Sequence, residues 1–233
     1  IHCFFNTFKN KKNTPALLLK TSGATYSVVD RLNIEKKINE IRDMFPNQKL
    51  PPIYLLHGDL TNKEMNSLYN HPKVKAMISF TKAEGFGRPL LEFSAIGKPI
   101  LVPHYSGQAD FLKPEFICSL PGQLTPIHKT AQNPFLINGA KWFTVDYGYA
   151  SKMMEDIIKN YKKWKELAKR QRYFSRSQFC KSNISKLYDN IISIINENIK
   201  TNPQQIQLKL PKLQKTSSNN IHKLKLPKLQ KLT

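Results

Sequence analysis

The sequence predicts an α/β fold, a parallel sheet with flanking helices, followed by a basic C-terminal tail. Three observations carry this. Short apolar runs without in–out alternation occur at residues 15–20, 53–56, 74–80 and 99–102, as expected of strands buried on both faces. Helical patterns lie between them. Beyond residue 197 the chain has lysines and no acidic residue.

The 233 residues suffice for one α/β domain with an appendage. The chain begins at Ile1, so a fragment or processed product is expected. The apolar run at residues 2–5 is too short for a signal peptide. No run reaches the ~20 apolar residues of a membrane span. Cys3, Cys118 and Cys180 are odd in number and scattered, which argues against a disulfide framework or zinc site. A reducing, cytoplasmic setting is the expectation, peripheral to a membrane if the tail docks there. The net charge of +21 favours polyanions: nucleic acid, anionic lipid or nucleotide phosphates. Richness in Lys, Asn and Ile together is also what AT-rich coding produces, with the lysines a solvated surface.

Residues 1–14 read as a linker, the remnant of a preceding domain. The first strand is 15–20, and Thr21-Ser22-Gly23 turns the chain. Ile34, Ile38, Ile41 and Phe45 then mark one helix face. Pro51 and Pro52 close a loop before the strand at 53–56. His57-Gly58-Asp59-Leu60 forms the turn beyond it, with His57 read as a loop histidine. Thr61 and Glu64 make a capping box for a helix over 62–69. The run at 74–80 is the third strand. Pro89 suits the first turn of a short helix over 90–96, which Gly97 ends before the fourth strand. Residues 114–149 read as irregular, with a short strand or ordered loop at 142–147. Asp146 is expected to cap the helix near Ala150. Met153, Met154, Ile157, Ile158, Tyr161, Trp164 and Leu167 form one apolar stripe. Ile184, Leu187, Tyr188, Ile191, Ile192, Ile195 and Ile199 form another. Both read as core-facing, the second in part as facing a partner absent from this chain. Residues 15–200 are thus expected as one domain and 201–233 as a disordered tail. In that tail, 209–215 recurs letter for letter at 225–231. It suits docking to an anionic membrane, an acidic protein or nucleic acid, or a solvated tail without a partner.

The stretch Glu84-Gly85-Phe86-Gly87-Arg88-Pro89-Leu90-Leu91-Glu92 carries the chemistry. Two glycines at a strand-to-helix turn let backbone approach a ligand, and a helix start offers N–H groups to an anion. Glu84 and Glu92 bracket the turn. This suits a ligand with a diphosphate in its middle and hydroxyl-rich sugars at its ends. Each marked loop follows a strand, where ligands sit in open α/β sheets.

This stretch resembles the signature of retaining glycosyltransferases of the GT-B fold, family four in particular. Residues 95–103, together with Ser106 and Gly107, continue the family pattern. The resemblance covers about 15–199 and is specific only over 76–107. It implies a Rossmann-like domain, the C-terminal, donor-binding half of the GT-B fold, with hexosyl transfer from a UDP- or GDP-linked sugar and no metal or other cofactor. Glu84 would then hydrogen-bond donor-sugar hydroxyls at the reaction centre, and Glu92 the ribose. Gly85, Phe86, Gly87 and Leu90 would line the donor through backbone. Arg88, where the family often has a neutral residue, adds phosphate affinity or faces solvent. Lys20 is the candidate for the diphosphate contact. Gly58, Leu60 and Gly107 are loop candidates beside the base. The family's first domain normally supplies the acceptor site, so the isolated chain is expected to bind donor and transfer poorly. The acceptor stays open among polysaccharide, glycolipid and others. Two other readings stand beside this one. One is a DNA-modifying sugar transferase, and the other is a non-catalytic sugar-nucleotide-binding or docking module.

Overall fold

The computed structural model describes residues 1–23, 25–131, 136–137 and 139–201. Strands β1 (Leu17–Lys20) and β2 (Ile53–Leu56) pair in parallel, Leu17 beside Ile53 and Lys20 beside Leu56. Helix α2 (Val28–Asp43) connects them, capped where the Ser27 hydroxyl accepts the Asp30 N–H at 3.1 Å. A second parallel sheet has the order β3 (Met77–Ile78), β4 (Ile100–Pro103), β5 (Cys118–Leu120). Helix α3 (Asn62–Asn70) precedes β3, and the expected Thr61–Glu64 capping box is in place. Helix α4 (Arg88–Ser94) joins β3 to β4. This is an α/β architecture with small parallel sheets, broadly compatible with a Rossmann-like arrangement.

Strand β4 shows why its sequence lacks alternation. All four of its residues are buried. Leu101 packs with Phe5, Cys118, Leu120, Val145 and Met154 on one side, whereas Ile100 and Val102 pack with Tyr69, Leu90, Phe93 and Phe111 on the other. Burial pushes the Cys118 thiol up to about 12, so it behaves as a small apolar side chain. The buried Lys98 Nζ donates to the carbonyls of Tyr69 at 2.6 Å and His71 at 2.8 Å, satisfying the end of α3.

Several expectations need correction. Residues 2–8 of the supposed linker form helix α1 (His2–Phe8), whose Phe4, Phe5 and Phe8 enter the core. Phenylalanines at i, i+1 and i+4 make one helical face. The third strand is two residues long. The Val74 amide bonds back to His71, and beyond Ser79 the chain turns away, its Lys82 carbonyl accepting the Phe143 amide. The region expected as irregular holds an antiparallel ladder, β6 (Gly122–Pro126) with β7 (Lys141–Val145). The first apolar stripe belongs to two helices, α5 (Tyr147–Lys159) and α6 (Tyr161–Gln178), separated at Asn160. One carboxylate spans the break: Asp156 accepts from Asn160 at 2.6 Å and from Trp164 Nε1 at 2.7 Å. Those hydrogen bonds hold its carboxyl below the usual range. Asp146 caps α5 as expected, through the Tyr149 amide.

The chain divides into two units at a boundary inside helix α7 (Lys181–Thr201), the first of them Ile1–Ile184. In the α7 stripe Ile184 is half-buried and the other residues are exposed and not core-facing, from 43% at Ile191 to 62% at Tyr188. Among the described residues no helix is long and apolar enough to cross a membrane. The duplicated 209–215 and 225–231 segments lie outside the described residues.

Candidate functional site

The 84–88 loop leaves the second sheet past the carboxyl end of β3 and enters α4 through Gly87. Gly87 has φ 86° and ψ 45°, a left-handed conformation that a side chain resists. Its carbonyl accepts the amides of Leu90 at 2.9 Å and Leu91 at 3.2 Å. The Leu90 amide is therefore committed within the turn, and its side chain is buried, so it does not serve as a free donor. Pro89 has no N–H. Among the described residues, the amides of Gly85, Phe86, Gly87 and Arg88 find no protein acceptor. Gly85, Phe86 and Arg88 are exposed, so their donors are left to solvent or ligand, whereas Gly87 is buried.

The following loop holds this turn in place. The Glu84 amide donates to Ser106 Oγ at 2.8 Å, and the Gly107 amide donates to the Glu84 carbonyl at 3.0 Å. A side chain at Gly107 would meet Gly85 and Phe86 backbone, so the loops touch main chain to main chain. Buried Gln108 anchors the second loop by donating to the Pro103 carbonyl at 3.0 Å. The half-exposed Phe86 ring packs on Phe111 at 5.1 Å, which fixes its side chain beside the core. Strand β7 borders the same region, where Tyr105 stacks on Phe143 at 4.9 Å and Lys82 lies over Trp142. Aromatic β7 side chains beside the loop were not expected from the sequence.

Arg88 and Glu92 engage each other. The guanidinium Nε lies 2.7 Å from Glu92 Oε1, an exposed i,i+4 pair. Such a pair contributes about 0.3–0.5 kcal/mol, so a ligand hydroxyl can exchange for it readily.

Lys20 ends β1 and donates through Nζ to the Gly58 carbonyl. Gly58 has φ 116°. The Leu60 amide is taken by the Asp59 side chain at 2.9 Å. The structure thus brings Lys20 to Gly58 and Glu84 to Gly107. Among the described residues no hydrogen bond joins the first pair to the second.

A further pair at the β1–β2 edge escapes sequence reading. His57 Nε2 lies 2.9 Å from Asp30 Oδ2, with both side chains nearly enclosed. The same carboxylate oxygen accepts the Gly23 amide at 2.7 Å, and the Tyr26 ring stands edge-on to His57. The loops after β1 and β2 are therefore latched together. The 27-residue separation hides the pair; the available signal is Ser27-x-x-Asp30, an acid in a helix first turn. The bonds from His57 and Gly23 hold the Asp30 carboxyl below the usual aspartate range. A depressed carboxyl contributes stability that is complete above the unfolded value near 4 and is lost as pH falls through the folded one. In urea melts between pH 6 and roughly 2, wild type should lose stability below about pH 4, and Asp30→Asn should lose less across that window. Parallel pH profiles for the two proteins would remove the latch.

A cavity of about 770 Å³ lies elsewhere, lined by Phe116, Lys169, Arg170, Tyr173 and Phe174 among others, and includes no residue of the 84–92 stretch. The candidate site is an open edge: Gly85, Phe86 and Arg88 are exposed and Glu84 is half-buried. No protein-family model and no curated protein matches this chain.

Proposed function

We propose that this chain is the donor-binding half of a retaining, metal-independent glycosyltransferase of GT-B architecture. The observation that carries the reading is the 84–88 turn, where the exposed residues Gly85, Phe86 and Arg88 have amides without a protein acceptor among the described residues, and where the Ser106 hydroxyl and the Gly107 amide brace Glu84. Breaking the bond between a sugar's anomeric carbon and a phosphate places negative charge on the leaving diphosphate. Fixed donors that need no reorganisation stabilise that charge. The turn supplies such donors, and Lys20 adds a cation from the edge of the other sheet. Glu84, at the mouth of the turn, takes the donor-sugar hydroxyls. Glu92 takes the ribose hydroxyls after releasing Arg88, whose guanidinium is then free for phosphate. A partner domain supplies the acceptor site, and the setting is cytoplasmic.

The test is calorimetric titration of the full chain with UDP, GDP and ADP and with their sugars. One base should bind saturably, and Glu92→Ala should weaken it roughly ten- to a hundredfold, the worth of hydrogen bonds to a charged group. Thermal stability should be unchanged, since Glu92 is partly exposed and its ion pair is with exposed Arg88. Absence of saturable binding by a cooperatively folded sample would overturn the donor-site reading.

A further inference from the structure

We propose that α7 and the basic segment after it form a peripheral anchor for an anionic lipid surface. This stands apart from the donor-site reading, because no residue of that site takes part.

The helix is amphipathic on one face. At about 100° per residue, Leu187, Tyr188, Ile191, Ile192, Ile195 and Ile199 occupy roughly 140° of arc. Each is between 43% and 62% exposed. Lys186, Asp189, Ser193 and Glu197 fall on the opposite side. An apolar stripe of this width on a 21-residue helix is far beyond scattered surface leucines and marks a face that meets another apolar phase.

The charge that follows identifies that phase. Residues 202–233 contain seven lysines and no aspartate or glutamate. Leucine alternates with lysine at 208–210 and again at 223–226. The covering surface must therefore be apolar under α7 and acidic immediately beyond it. An anionic bilayer has acyl chains directly beneath a dense plane of phosphates and needs no matched shape. A second copy of the chain would bring another net charge of +21, with the lysine-rich segments unneutralised. The apolar helix face and the polybasic segment are two weak signals, and stable peripheral binding takes two.

The experiment is flotation of the full chain with vesicles of phosphatidylcholine alone and of phosphatidylcholine with about 30 mol% phosphatidylserine. Wild type should float with the mixed vesicles, with partitioning at least roughly tenfold weaker on the neutral ones. Two variants separate the signals: Ile191→Asp with Ile195→Asp, and the seven tail lysines replaced by glutamine. The first should lower partitioning roughly a hundredfold and the second at least tenfold. Retention of the wild-type thermal transition in both variants shows that the α/β unit is intact. Absence of flotation overturns the proposal, as does binding indifferent to the Ile191 and Ile195 changes, which would be tail electrostatics alone. Concentration-dependent self-association without lipid, abolished by the isoleucine changes, overturns it in favour of a second copy.

Discussion

Phe5→Ala should cost about 3–5 kcal/mol, the range for emptying a fully buried phenylalanine site. Phe5 is completely enclosed, edge-on to Phe45 at 5.8 Å. Its cluster includes Leu101 of the central strand and Met154 of α5. The cavity would open where the N-terminal helix, the sheet and the C-terminal helices meet, and close packing leaves little scope for collapse. At about 2–4 °C per kcal/mol for a chain of this size, the melting midpoint should fall by roughly 6–20 °C. Urea unfolding of Phe5→Ala beside the exposed-site control Asn6→Ala checks this. A loss within about 0.5 kcal/mol for both would mean that α1 lies loosely on the surface.

That helix shows what the sequence made legible and what it did not. Signals complete within one element were readable. The 53–56 strand, the Thr61 capping box, the Asp146 cap and the doubly buried β4 all depend on residues a few positions apart. Features set by distant partners were not. Residues 2–8 read as linker because lysines follow them, and their helical value comes from Phe45 and α5. The β6–β7 ladder has one strand of Gly-Gln-Leu-Thr-Pro, mostly exposed and without an apolar face, so only pairing with β7 makes it a strand. The Met153–Leu167 stripe keeps its period across Asn160, and apolar spacing alone carries no mark of the helix break. In the candidate site, the Gly85–Gly87 turn and the two glutamates were legible from local order. The Arg88–Glu92 pair follows from i,i+4 spacing, although Glu92 read first as a ligand group. The Asp30–His57 latch joins two loops that meet only because β1 and β2 pair in parallel.

Gly107→Ala should disable the candidate site and destabilise the fold together. A Cβ at this position would lie 2.6 Å from the Gly85 carbonyl carbon and 2.7 Å from the Phe86 Cα. Both are backbone atoms and cannot rotate aside. Main chain on one side must move, and overpacking of this kind costs about 1–3 kcal/mol. The 104–107 loop is tethered by Gln108 to Pro103, and the 84–88 turn is held between Ser106 and the start of α4. The displacement therefore falls on the main chain of the exposed residues Gly85 and Phe86. Those residues carry two of the three exposed amides assigned to the diphosphate. A misplacement near 1 Å in a positioning element costs on the order of a hundredfold in function, so nucleotide-sugar affinity should fall by about that factor. Glu92→Ala is the contrasting case, with weakened binding and an unchanged melt. Finding Gly107→Ala as stable as wild type, with donor affinity retained, would mean that the two loops do not touch in solution. Glu84 would then have no brace, and the turn would not be preorganised.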